Sequence, residues 1–445
     1  MVRYLWAWGG AVVSMSVRPR HRRPRPSQPH RFILLLTCIA FSEPIVITGE
    51  SVSSLIGSPV ENIRMVNGHG NPVPFQVDEI TPEGEYVCHL GEAPNSKDAN
   101  GTLDSIDEIV FLKKDCTPPG KSAIPEILRG GTGIVEQIEI GGGEDKRVLF
   151  CSSDSTIPLS SQSYINYDHA KRKITTPWYY AVFGKKRFHF VRAGIKSSER
   201  SGYIDFTREL RLRIFLTVLW GLLPIQYNEE NLVCLVSRYK VGPVRLVRRG
   251  DLYLKLGFFL KANSAAVNQI CYPQMVRVPV YVHLPVQFKS FLKEAYIEMT
   301  PVITSQGKGY DFSVPHQGIS IPLGESEKLD TIIRFNPNNS YFSVNNGFEG
   351  YGWVLNSDMK NRFLDGSGYI IQRPSERNGI AHCGYRLNVH DMPRGYYLIT
   401  NWVLFSNHGI DGFESLRNSL ENLSPVSTKS SKTFNAIKAV HTTHK

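Results

Sequence analysis

A chain of 445 residues is long enough to bury a large core, as two domains or as one large β unit. It carries 51 basic and 40 acidic side chains, yet the excess sits at the ends: residues 1–42 hold seven Arg and no acid, and residues 424–445 hold four Lys and no acid. Residues 43–423 are balanced at 40 of each sign, which argues against a nucleic-acid-binding body, because such a body needs a basic face with aromatic platforms.

In chain order, Arg18, Arg20, Arg22, Arg23, Arg25 and Arg31 precede the apolar run FILLLTCIAF at 32–41. A basic segment, a short apolar stretch and small residues near Ser42 make the pattern of a secretory signal peptide, so 1–42 is expected to direct export to the exterior, the periplasm or the outer envelope. No later run is long enough to span a membrane after signal removal. The longest candidate, IFLTVLWGLLPI at 214–225, has a dozen residues and a Pro, and is expected as a buried core element. Residues 45–47 open the strand pattern, and Pro72 and Pro74 keep NPVPFQVD extended. Short strands at 85–89 and 109–112 follow, CTPPG at 116–120 is a stop, and GGGED joins IVEQIEI to RVLFCS as a hairpin. From about 188 the strands lengthen, with period-two alternation through Arg208, Leu210, Leu212 and their neighbours. One helix is expected, at 412–423, with Phe413, Leu416, Leu420 and Leu423 on one face. The Ser-, Thr- and Lys-rich tail 424–445 is expected to be disordered. The fold class that follows is mainly β: one or two antiparallel β-sandwiches with a short C-terminal helix, an N-terminal domain at 43–187 and a larger one at 188–423.

The most specific chemistry lies in SKDANGTLDSIDE, residues 96–108. A twelve-residue calcium loop places oxygen donors at alternate positions with a Gly at the sixth for the turn. With Gly101 sixth, Ser96, Asp98, Asn100, Thr102, Asp104 and Asp107 fall at positions 1, 3, 5, 7, 9 and 12. Over this stretch alone the chain resembles the EF-hand and dockerin type of loop. The resemblance implies a structural Ca2+ ion. The other reading is a plain Asx-rich turn, since Asp, Asn and Gly favour turns without a metal. Ser stands at position 1, Asp at 12, and Ile109 to Phe111 continues as strand rather than helix.

Six cysteines follow Cys38, an even count that permits disulfides in an exported chain. Cys88 and Cys116 flank the loop and are expected to be bridged, whereas Cys234 reads as a buried apolar residue. Asp78 and Glu79, and Asp205 with Arg208 and Glu209, are expected as exposed strand-end charges, although paired carboxylates can serve glycoside hydrolysis. Alternation places Arg245 and Arg249 on one strand face and Arg248 on the other, expected as solvated edge charges rather than one anion patch. His382 and His390 lack metal-ligand spacing. Gly347, Gly350 and Gly352, interleaved with Phe348, Tyr351 and Trp353, fit a strand bend or an aromatic sugar platform. In general pattern the whole chain resembles uncharacterised secreted proteins of bacterial envelopes. The functional expectation is an exported calcium-stabilised protein binding a glycan or envelope partner, with a carbohydrate-active enzyme of lyase, hydrolase or mutarotase type as the alternative. Tyr, Arg, His and carboxylates gathered within one concave sheet face would favour the enzyme, and a convex, salt-bridged surface with aromatic strips the binder.

Overall fold

The computed structural model describes residues 43–420 and 432–434, apart from 120–123, 132, 143–144, 186–188, 198–200, 219–220, 257–259, 285–286, 288, 290–291, 308, 325–329, 335–340, 358–366 and 374–378. All described residues lie in the compact unit that begins at Ala40. They form four antiparallel sheets stacked in layers.

Two ten-stranded sheets make the large sandwich. The first, sheet I, centres on Tyr203–Val218, Leu292–Thr304 and Gly379–Asn388, with Phe190–Lys196, Tyr179–Phe183, Lys173–Thr175 and Asn166–Asp168 beyond them on one side. The second, sheet II, runs through Gly350–Ser357, Gly395–Ser406, Met275–Leu284, Leu260–Cys271, Leu246–Leu256 and Leu232–Val241. Alternation sends Phe206, Leu210, Ile303, Cys383, Tyr385 and Leu387 of sheet I inward, against Leu246, Phe342, Tyr351, Trp353, Val403 and Phe405 of sheet II.

The remaining layers stack on the outer face of sheet II. A three-stranded sheet of Pro44–Thr48, Glu108–Leu112 and Phe75–Asp78 turns Val46, Val110 and Leu112 toward Val247, Ile270, Trp402 and Leu404. Its other face, Ile45, Ile47, Ile109 and Phe111, packs on Met65, Ile138, Leu149 and Cys151. Those belong to a four-stranded sheet of Arg64–Asn67, Arg147–Ser152, Val135–Ile140 and Lys432–Phe434. A strand covered on both sides needs a continuous apolar run, which is what IVFL at 109–112 supplies. Phe111 is fully buried, and Phe111→Ala would cost about 3–5 kcal/mol. The helix Gly409–Ser419 lies across sheet II through Phe413 and Leu416. It sits close because residue 352 is Gly: a Cβ there would stand 2.9 Å from the Tyr341 ring and 3.1 Å from Phe413.

Several boundaries differ from the sequence reading. The large sandwich already includes Asn166–Asp168, Lys173–Thr175 and Tyr179–Phe183, short strands that pair only once sheet I exists. Lys432–Phe434 of the tail adds a strand to Val135–Ile140. Residues 214–225 are not one core element: Tyr203–Val218 and Leu223–Tyr227 pair as a hairpin, with Leu222 and Leu223 exposed. The helix begins three residues earlier than its apolar spacing predicts, and Leu423, like the segment 1–42, lies outside the described residues.

Candidate functional site

Long strands with period-two alternation must show one face to the core and the other outward. On the outward face of sheet I, register sets Arg213, Glu298 and Arg386 abreast on three strands, followed by Phe215, Tyr296 and Asn388. On the other side of that row come Arg211 and Thr300, then Glu209, Val302 and His382. Glu298 is almost fully buried and accepts both Nε (2.8 Å) and Nη2 (2.5 Å) of Arg386 through one carboxylate oxygen. The Arg386 guanidinium also lies 4.8 Å from the Tyr296 ring centroid, and Tyr296 stacks on Phe215. With Glu298 committed to Arg386, Arg213 makes no ion pair with any described residue. Next to it, Arg211 Nη1 lies 3.5 Å from His382 Nδ1. Burial, followed by the charges of Arg211 and Arg213, pushes the His382 ring down to about 4, so it is neutral at physiological pH and can accept a proton or hydrogen bond. Burial also pushes the Tyr296 phenol up. The face therefore combines two adjacent guanidiniums, a neutral imidazole and a tyrosine on rigid central strands.

The second charged cluster is a buried joint. Arg245, fully buried, donates to Asp78 (Nε–Oδ2 2.7 Å), Glu108 (Nη2–Oε2 2.5 Å) and the Tyr272 hydroxyl (3.1 Å). Lys240 stands 3.0 Å from the other Asp78 oxygen, and Gln76 donates to Asp78 at 2.7 Å. Burial alone would raise the Asp78 carboxyl, but Arg245 and Lys240 outweigh it and hold it at about 2. Glu85 joins Arg238 and Arg249 beside this joint, each at 2.5 Å. The expectation of exposed strand-end charges is thus wrong for Asp78 and Glu79, and that of solvated edge arginines is wrong for Arg245 and Arg248. The outer face of sheet II meets another protein layer instead of water. The face assignment itself holds, because Arg248 points the opposite way, lying over the Phe183 ring at 3.7 Å.

In the loop at 96–107, Ser96–Asp98 forms a 3-10 turn and Gly101 takes φ +72°, as the sharp turn requires. Asn100 donates to Asp104 at 2.6 Å and accepts from the Thr102 amide. Asp107, buried, accepts the amides of Ile80 and Asp104 with its two oxygens, while Glu79 accepts the amide of Gly101. Burial raises the Asp107 carboxyl. Among the described residues no three Asp, Glu, His or Cys side chains are grouped closely enough to share a metal ion.

Cys88 and Cys116 are free and buried, so the expected bridge is absent. The reason is the layering: Cys88 lies in the core against sheet II, and Cys116 in the core beyond the three-stranded sheet. Tyr351 and Trp353 are core residues, which removes the aromatic platform, although Phe348 is exposed. His390 bonds Asp391 and the Leu292 carbonyl, both at 3.0 Å, and Asp205 pairs with Arg192. Sequence reasoning missed Arg211, Arg213, Glu298 and Arg386 as one group. Two of them lie on one alternating strand, but the partners are 85 and more residues away.

No protein-family model matches the chain, and no curated protein matches it in sequence. Among solved structures it is similar to an alpha-mannosidase from Enterococcus faecalis V583, with 8% identity, a TM-score of 0.40, and coverage of 86% of this chain and 48% of that one. It is also similar to a protein in the glycosyl hydrolase family 38 from Enterococcus faecalis, with 8% identity, a TM-score of 0.43, and coverage of 88% and 45%. The chain spans about half the length of these structures.

Proposed function

We propose that the outward face of sheet I binds an acidic saccharide, with Arg211 and Arg213 receiving its carboxylate. The observation that carries this is the pair of adjacent guanidiniums, one of which, Arg213, has no ion-pair partner among the described residues. Guanidinium matches carboxylate bidentately, and a half-buried site strengthens the bond. Tyr296, held between Phe215 and the Arg386 guanidinium, offers its hydroxyl as a donor and acceptor to a sugar hydroxyl. Galacturonate oligomers are the direct probe, with titration of the intact chain against Arg213→Ala. Binding lost in the variant supports the reading; equal binding by both refutes it.

A second reading is enzymatic, and His382 favours it. A carboxylate bound by Arg211 and Arg213 would neutralise the charges that depress the imidazole and so raise its basicity. His382 would then take the proton α to the sugar carboxylate, the carbon–carbon double bond forming as the glycosidic C–O bond breaks and the leaving oxygen takes a proton from water. New ultraviolet absorbance from that double bond, absent in His382→Ala, is the signature; its absence leaves a binding protein.

We further propose that 1–42 directs export and that Ser96, Asp98, Asn100, Thr102, Asp104 and Asp107 hold a calcium ion, the alternate oxygen donors about Gly101 supporting the ion. An ion that binds only the folded loop raises Tm in excess calcium relative to chelator, and Asp98→Ala abolishes the rise. An unchanged Tm assigns the loop to its hydrogen bonds alone.

A further inference from the structure

A groove of about 410 Å³ opens at the junction of the two small sheets, on the far side of sheet II from the arginine face. Its volume lies in the range of small-molecule sites. Lys114 and Asp115 line one wall and form a compact triad with Tyr164 behind them. The Tyr164 hydroxyl donates to Asp115 (2.8 Å to Oδ1), Lys114 Nζ donates to the Tyr164 oxygen at 2.5 Å, and Lys114 lies 3.1 Å from Asp115. The Lys114 ammonium stands 4.2 Å from the Tyr164 ring centroid. Tyr164 is anchored in turn by its amide, which donates to the Pro243 carbonyl at 2.7 Å. The triad is preorganised and carries no net charge.

The other wall is the turn at residues 67–74, held by Asn67, whose side-chain oxygen accepts the amides of His69 and Asn71. The side chains of His69, Asn71 and, across the groove, Gln162 make no hydrogen bond to a described residue. Carboxamides donate and accept at once, as sugar hydroxyls do, whereas an anion would need unopposed donors. Asp115 is open to further acceptance beside Lys114, the pairing that vicinal hydroxyls require. Pro72 and Pro74 line the floor with ring C–H groups that can meet a pyranose face.

We propose that this groove is a saccharide subsite for an uncharged sugar ring, held by Asn71, Gln162, Lys114 and Asp115. It goes beyond the acidic-saccharide reading and does not depend on it. The test uses the full chain and saturation-transfer NMR with D-glucose, D-galactose and D-mannose, repeated on the double variants Asn71→Ala/Gln162→Ala and Arg211→Ala/Arg213→Ala. Asn71 and Gln162 are exposed, so their removal leaves the fold intact. At least one neutral sugar should show transfer that falls about tenfold in the groove variant, for two lost hydrogen bonds, and persists in the arginine variant. No transfer from any of the three sugars, or transfer that survives the groove variant, overturns the subsite. Failure of galacturonate binding overturns the arginine reading alone.

Discussion

Replacing Arg245 with Met tests whether the small sheets are locked to the sandwich by charge. Arg245 is fully buried, and its guanidinium is shared by Asp78, buried to the same degree, and by Glu108. Removing it leaves Asp78 with Lys240 and Gln76 and takes the shared guanidinium from Glu108, a change that costs about 2–3 kcal/mol, less than a carboxylate left with no partner. The reciprocal Asp78→Leu leaves the guanidinium with Glu108 and the Tyr272 hydroxyl, at similar cost. The double variant removes both charges, and a well-packed apolar pair is often neutral, so it should be more stable than either single variant, with a coupling of about 2 kcal/mol or more. A second readout comes from acid. Asp78 is held at about 2 against an ordinary 3.8, so its contribution is complete above about pH 4 and disappears as pH falls toward 2. The lost stabilisation is about 2 kcal/mol, from a shift of nearly two pH units. Urea midpoints of the wild type, both single variants and the double, at pH 7 and down a pH series, give all these quantities. Strict additivity of the single costs, or an Asp78→Asn variant that follows the wild-type profile between pH 4 and 2, would refute the lock.

Two further outcomes follow from buried groups. His382 is held at about 4 against an ordinary 6.5, so it costs nothing above pH 6.5. As pH falls from 6.5 toward 4 the unfolded chain takes up a proton that the fold refuses, and stability drops by up to about 2 kcal/mol once nearby solvent is discounted. His382→Asn should flatten that part of the pH profile; an unchanged slope would show that the ring titrates normally. All six cysteines from Cys88 to Cys383 are free, so alkylation of the denatured, unreduced chain should modify every one. A Cys88–Cys116 pair that resists alkylation would contradict the layer order.

How much could be read from the residues differs by layer. Alternation through 208–213 and the β-branched and aromatic run at 109–112 each named a strand, because both patterns are local, whereas the burial of 109–112 on both faces came only with the layers. Arg245 and Arg249 were correctly placed on one face and Arg248 on the other. What alternation cannot say is whether a charged face meets water or another sheet. Asp78, 167 residues from Arg245, turned an apparent surface arginine into a core one. The GYGW run illustrates the same limit: aromatic and Gly alternation suits a sugar platform until the second sheet covers the aromatic face, and Tyr351 and Trp353 lie in the core against sheet I while Phe413 covers Gly352 on the opposite face. The arginine face was hidden for a related reason, since Arg213, Glu298 and Arg386 meet only through pairing of three distant strands.

Titration of galacturonate oligomers against the intact chain and Arg213→Ala decides whether sheet I presents a carboxylate-binding face. Binding should be saturable, weaken as salt rises and fall at least about tenfold in the variant, the loss of one charge-assisted pair. Equal affinity in both proteins, or no binding by the wild type, would contradict it.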